Sequence, residues 1–301
     1  AAVSRRGVTR RGLLLGALTG GAALCLPRGR ARAGAARPAW LDGGPLPWRN
    51  WSGFQGCQPA HRLGPACESE LLAQLRDSSG VLRPAGAGHS FSGLVPCDGA
   101  LLFLDNLTGV AGADASSLQA EVWTGTRLAQ LGPALDAHGQ AMPNLPDIDY
   151  QTLGGALATS THGTGALFGS LSSYVVGLTL ATPSGELLEC DGTRNAEVLH
   201  AARCSLGALG VVTRVRLQNA RPFALLEETR FRALDAVLAD LPRARAENRC
   251  YEFYAFPHSE VALEIATNET DREPFSSGSD DPDSLYLLET LFELTHRLPG
   301  V

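Results

Sequence analysis

Between Trp40 and about Gln218, short apolar runs bounded by Gly, Pro or Asp alternate with stretches of helical spacing. Residues 81–83, 101–104, 120–123, 178–180 and 211–217 read as strands. In 68–76, Leu71, Leu72 and Leu75 share one helical face, and Leu128, Leu131 and Leu135 repeat that spacing after Thr126 as N-cap. Ala220-Arg221-Pro222 breaks the pattern. A second unit follows, with strand at 225–231, helix at 234–241 and strands at 251–256 and 261–266. Residues 271–283, rich in Ser, Asp, Pro and Gly, read as a loop, and 284–296 as a helix. The pattern predicts an α+β protein with a domain at 46–220 and part of another at 221–301, preceded by a distinct head at 1–37.

The head is set apart by its charge. Eight of the 25 arginines fall in residues 1–37, which hold no Asp or Glu, so the remaining 17 face all 31 acidic side chains. An acidic body lacks the basic footprint that nucleic-acid binding needs, and nucleic acid is not expected as a partner. No lysine occurs anywhere, which excludes Schiff-base chemistry and a P-loop grip within these residues. The only Met is Met142 and the chain stops within a helical pattern at Val301, so it reads as incomplete at both ends.

Thr9-Arg10-Arg11-Gly12-Leu13-Leu14-Leu15 opens an apolar stretch reaching Leu26, with small-residue cleavage positions at 31–33 or 33–35. It resembles a twin-arginine export signal. The stretch 13–26 is shorter than the roughly 20 apolar residues a span requires, so no stable membrane span is expected. A lipoprotein reading at Cys25 is weaker, because Leu24 stands where a small residue belongs. The resemblance implies the twin-arginine machinery as a partner and a periplasmic or secreted location. It also implies a protein folded before export, which makes a buried redox cofactor the first hypothesis. Cys57, Cys67, Cys97, Cys190, Cys204 and Cys250 form no CxxC pair, so neither a metal site nor any disulfide pairing is predicted.

Three segments carry candidate chemistry. In Gly86-Ala87-Gly88-His89-Ser90, glycines after a strand let successive N–H groups face one concavity, which suits a phosphate or pyrophosphate. A turn of this kind is more often only a turn, and it lacks the third glycine of the Rossmann fingerprint. In the stretch 151–165, thirteen of fifteen residues are uncharged and small or apolar, as in a loop packed on a planar cofactor rather than one in solvent. The third, Ser205-Leu206-Gly207-Ala208-Leu209-Gly210-Val211-Val212, is by itself a turn feeding a strand.

In this order the three segments resemble the PCMH-type FAD-binding domain of the vanillyl-alcohol oxidase superfamily. Within it they resemble the aldonolactone and alditol oxidases, the group of gulonolactone and arabinonolactone oxidases. Trp48-Arg49-Asn50-Trp51-Ser52-Gly53 matches that family's opening, and Cys250-Tyr251-Glu252-Phe253-Tyr254-Ala255-Phe256-Pro257-His258 matches the start of its substrate domain. The resemblance covers roughly 46–270 and implies a two-subdomain FAD-binding domain followed by the start of an α+β substrate (cap) domain.

The resemblance further implies FAD bonded covalently through His89, with Gly86, Ala87, Gly88 and Ser90 holding the pyrophosphate. Gly154, Gly155, Thr159, Ser160, Thr161, His162, Gly163 and Thr164 would line the FAD, and Val211 and Val212 would meet the adenine end. Thr152 would be the catalytic hydroxyl facing the reacting alcohol. Some relatives attach flavin a second time through a cysteine; 151–155 contain none, so single attachment is expected. Other relatives carry leucine at the histidine position and bind flavin without the bond. The implied reaction oxidises a CH–OH group of a sugar lactone or polyol by hydride transfer to flavin N5, with oxygen as acceptor. Alternatives are a dehydrogenase of the same fold passing electrons to a cytochrome or quinone, a non-catalytic flavin-binding protein, and a metal-binding protein using His89, His162 and cysteines. The family's acidic and arginine residues for substrate would lie beyond Val301.

Overall fold

The computed structural model describes residues 47–273. These fall into two compact units, 47–223 and 224–273. The head at 1–37, most of the loop at 271–283 and the helix expected at 284–296 lie outside the described residues.

The first unit runs β1 (Trp48–Arg49), β2 (Gly56–Cys57), β3 (His61–Leu63), α1 (Glu68–Asp77), β4 (Leu82–Pro84), β5 (Ala100–Leu102), β6 (Val110–Asp114) and β7 (Gln119–Trp123). It continues with α2 (Leu128–Asp136), α3 (Leu153–Ala158), a 3₁₀ turn at Leu171–Tyr174, β8 (Val175–Ala181), β9 (Leu187–Asp191), α4 (Ala196–Ala202) and β10 (Val211–Gln218). Strands β3, β5 and β4 form a small parallel sheet in that order, while β6-β7-β10-β8-β9 is antiparallel throughout. The expected strands and the first two helices are present, shifted by one to three residues.

Each sheet buries a face for a reason visible in its residues. In β7, Ala120 and Val122 alternate inward, and β10 does the same with Val211, Thr213, Val215 and Leu217. Ala120, Val122, Val215 and Leu217 pack on Leu128, Leu131 and Leu135 of α2 and Leu153, Ala156 and Leu157 of α3, each buried leucine contributing about 1.5–3 kcal/mol. A second core joins Leu71 of α1 to Leu102 of β5, Ala181 and Val211. Between the two sheets, Arg214 pairs with Glu68 of α1 at 3.2 Å, Glu121 of β7 at 3.2 Å and Glu189 of β9 at 3.4 Å.

Two local expectations are corrected. Arg127, not Thr126, is the N-cap of α2. The Thr126 hydroxyl is already spent, donating to the Trp123 carbonyl at 2.6 Å and accepting from the Gly109 N–H at 2.8 Å, so the helix begins one residue later. The segment read as a loop from 151 begins as a helix: Thr152 caps α3, accepting from the Gly155 N–H at 3.3 Å, and burial of Leu153, Ala156 and Leu157 outweighs the two glycines.

The second unit is an antiparallel sheet in the order β11 (Ala224–Ala233), β13 (Val261–Thr270), β12 (Cys250–Ala255), with α5 (Leu234–Glu247) against it. The expected helix ended at 241, before Pro242; the observed one runs through that proline. Val237 and Ala244 bury its inner face, and Arg243 bridges Asp240 at 2.6 Å and Glu247 at 2.7 Å across the proline turn. On the same unit the Glu264 carboxylate is fully buried. It accepts from Arg230, from Arg232 at 3.0 Å and from Tyr251 at 2.8 Å. Burial alone would raise its pKa, but the bonds from Arg230 and Tyr251 and the two guanidinium charges hold it below the usual carboxylate value. Burial and the bond to Glu264 push the Tyr251 phenol up to about 12.

Candidate functional site

The site is a cleft within the first unit that opens to solvent on one side and encloses a cavity of about 170 Å³. Four backbone features place its walls. The chain leaves β4 with the Ala85 N–H donating to the Leu102 carbonyl at 2.8 Å, and 86–90 then turns along the mouth. Opposite, the Leu153 and Gly154 N–H groups donate to the Thr126 and Thr124 carbonyls at 2.7 and 2.8 Å, setting Thr124-Gly125 beside Gln151-Thr152. The end of α3 supplies Leu157, Ala158 and Thr159, and the turn before β10 supplies Ser205, Leu206, Gly207 and Gly210. Val211, Val212 and Val215 form the floor with Val175 and Leu178.

The cradle is built by close approach. Gly86 passes so near α3 that a Cβ there would meet the Thr152 hydroxyl at 2.4 Å. Gly88 has φ +72° and packs against Trp48. The backbone after it is clamped from outside: the Trp51 N–H donates to the Gly88 carbonyl at 2.8 Å, and the buried Asn50 amide donates to the Ser90 carbonyl at 3.0 Å. These bonds hold the His89 ring at the mouth, stacked on Trp51 at 5.4 Å and 24°, with the Tyr150 ring 6.5 Å away.

Of the residues singled out in the sequence, the cleft brings together Gly86, Ala87, Gly88, His89, Ser90, Thr152, Gly154, Gly155, Thr159, Val211 and Val212. Ser160, Thr161, His162, Gly163 and Thr164 are not on its walls. That turn folds the other way: Thr161 bonds Ala156 and Leu171 through its backbone, and Gly163 lies against Asn144 and Leu145. The Thr152 hydroxyl accepts the cap bond and keeps its own O–H free to donate to a ligand.

Sequence reasoning missed Asn50 and Trp51 as the clamp on the histidine loop and Arg203 as a wall residue; Gln151 and Thr124 also line the cleft. Gln151 Oε1 and Arg203 Nε are buried without a hydrogen-bond partner, although both residues line the cleft. The rest of the wall offers small, apolar and hydroxyl side chains and backbone, with no carboxylate. Such a surface fits a large, flat, anionic cofactor: glycines admit it closely, Val and Leu side chains face its apolar parts, and unspent donors remain for its polar atoms. Among the described residues no three His, Cys, Asp or Glu side chains gather to hold a metal ion, and no helix is long and apolar enough to cross a membrane.

Comparison with known proteins agrees with this geometry. Residues 63–191 match the family described as "FAD binding domain". The chain is 36% identical over 260 residues to the L-gulonolactone oxidase of Bos taurus, covering 84% of this chain and 59% of that protein. It is 36% identical over 230 residues to the L-gulono-1,4-lactone dehydrogenase of Mycobacterium tuberculosis, covering 75% and 53%. Among solved structures, a cholesterol oxidase from Brevibacterium sterolicum superposes with a TM-score of 0.68 at 17% identity, over 83% of this chain and 55% of that one, a likeness of fold alone. The chain thus spans little more than half the length of the curated relatives it matches. With its ordered glycine segments, cleft and relatives taken together, the chain carries an FAD-binding domain and belongs to the aldonolactone oxidase-like family.

Proposed function

We propose that the protein of which this chain is part is an FAD-dependent oxidoreductase that oxidises a CH–OH group of a sugar lactone or polyol. The observation that carries the reading is the cleft itself, where the Gly86–Ser90 turn, the Thr152 cap and the Val211-Val212 floor meet around one space. Relatives bearing the names of lactone oxidases and dehydrogenases supply the substrate class.

FAD held in this cleft would supply a hydride acceptor for the carbinol carbon and an onward path for electrons to oxygen or another acceptor. Around it, each residue has a physical task. Backbone N–H groups of 86–90 would donate to phosphate oxygens, and Gly86 and Gly155 keep that wall free of side chains. His89 is the covalent anchor in this proposal, supported by its position at the mouth and by the Trp51 and Tyr150 rings that restrict its orientation. The free O–H of Thr152 donates to the oxygen of the reacting alcohol, orienting its carbon. Residues 1–37 act as a twin-arginine signal, so that the folded flavoprotein reaches the periplasm or the medium.

Anaerobic addition of an aldonolactone or alditol to the purified full-length holoprotein tests the reading. Bleaching of the oxidised flavin band is the expected result, and peroxide on admitting air identifies oxygen as the acceptor. Bleaching without peroxide identifies a dehydrogenase. A flavin that stays oxidised against a broad lactone and polyol panel contradicts the proposed activity.

A further inference from the structure

We propose that Arg203 is the cation that grips the diphosphate of the bound dinucleotide. The inference rests on reading the cleft as an FAD site, and no segment singled out in the sequence contains this residue. Among the described residues that line the cleft, Arg203 alone carries a permanent charge. The walls contain no Asp or Glu, and the chain has no lysine.

Its position is fixed at both sides. The Arg203 N–H closes α4 on the Leu199 carbonyl at 3.1 Å, and the Cys204 thiol meets the Ala158 carbonyl at 3.4 Å, holding this corner against the end of α3. The turn that follows runs beside β4: a Cβ on Gly207 would lie 3.7 Å from the Pro84 ring, two residues before Gly86. Arg203 and the glycine turn at 86–90 line the same cleft.

Among the described residues two arginines, Arg62 and Arg203, bury an Nε without a partner; Arg62 still donates through Nη2 to the Pro47 carbonyl at 2.7 Å and lies off the cleft, which leaves Arg203 as the one on its wall. Arg127, Arg194, Arg214, Arg230, Arg232, Arg243 and Arg249 each reach a carboxylate. Arg203 makes no side-chain hydrogen bond or ion pair among the described residues, and its Nε is shut off from solvent. A buried N–H without an acceptor is unfavourable, and a guanidinium beside an uncharged wall has no internal anion to relieve it. The diphosphate of FAD carries two negative charges, while the cradle at 86–90 offers it backbone dipoles but no formal charge. Planar, charge-assisted donation from Arg203 to a phosphate oxygen meets both needs.

Reversible binding is measured in the full-length protein carrying His89→Ala, prepared without flavin, using FAD and riboflavin as probes; riboflavin lacks the diphosphate. Arg203→Met is expected to weaken FAD binding by about 10- to 100-fold and to leave riboflavin binding unchanged, with Arg203→Lys recovering part of the loss. Arg203→Gln replaces Met should the latter fail to fold. Unchanged FAD affinity, equal weakening of FAD and riboflavin, or no recovery with Lys overturns the role of Arg203 while the FAD reading stands. Failure of the His89→Ala parent to bind FAD at all overturns the reading of the cleft, and this inference with it.

Discussion

Gly86 and Thr152 lie 66 residues apart in the chain, yet a Cβ on the glycine would sit 2.4 Å from the threonine hydroxyl. The same hydroxyl caps α3, so one contact joins the glycine turn at 86–90 to the helix that Thr152 opens. Gly86→Ala therefore forces either the turn or the cap to move. The expected cost is about 1–3 kcal/mol of stability, with a larger proportional loss of FAD retention than of folded protein. Thermal unfolding with and without added FAD measures both. A variant that keeps its full flavin content would show that the close approach does not shape the cradle.

Thr152 separates two roles that substitution can distinguish. Thr152→Ala removes both the cap acceptor and the free donor; Thr152→Asn keeps a cap acceptor but places its donor differently. Ala is expected to cost about 1 kcal/mol of stability and Asn much less, while both slow flavin reduction by substrate at least tenfold. Stopped-flow reduction alongside thermal unfolding reads the two effects independently. Normal reduction in both variants would remove the hydroxyl from the chemistry.

In the second unit, Glu264 fixes the sign of an acid response. Its pKa is held below the ordinary carboxylate value by Arg230, Tyr251 and Arg232. A depressed folded-state pKa contributes stability that is present above the unfolded value of about 4.3 and disappears as pH falls through the folded one. Stability should therefore decline as the solution is acidified below about pH 5. Glu264→Gln should lower stability at neutral pH, by less than the roughly 3–5 kcal/mol of a fully buried broken pair, because Arg232 keeps Asp240 at 3.2 Å and the Arg230 side chain is largely exposed to water, and should flatten the acid decline. An equally steep decline in the variant would assign it to other carboxylates.

Export is tested at the chain head. Changing Arg10 and Arg11 together to Lys should leave folded, flavin-containing protein in the cytoplasm. Normal delivery of that double variant would contradict the twin-arginine proposal.

The sequence carried the fold wherever side-chain period and burial agreed. Val122, Val215 and Leu217 alternate as a strand should, and Leu128, Leu131 and Leu135 recur as a helix should. It was silent at β6, an exposed edge strand of Val, Ala, Gly and Asp with almost no apolar alternation. It misled at α3, where glycines and threonines suggest a loop and only tertiary burial of Leu153 and Ala156 restores the helix. The glycine segments of the site were legible because backbone approach to a ligand demands small residues. Arg203 was not, because an arginine at a helix end looks like a solvated position until the walls of the cleft close around it. The clamp by Asn50 and Trp51 spans about forty residues and depends on backbone carbonyls, which leave no mark on composition.

The proposed FAD site sets the His89 ring against the flavin edge. The most direct measurement is to denature the purified full-length holoprotein in acid, digest it and determine the mass of the peptide containing His89. The account predicts yellow, fluorescent denatured protein and a flavin carried on that peptide, lost in His89→Ala and reduced in Trp51→Ala, which removes the stacked ring. Flavin released entirely into the acid supernatant, with an unmodified His89 peptide, would contradict it.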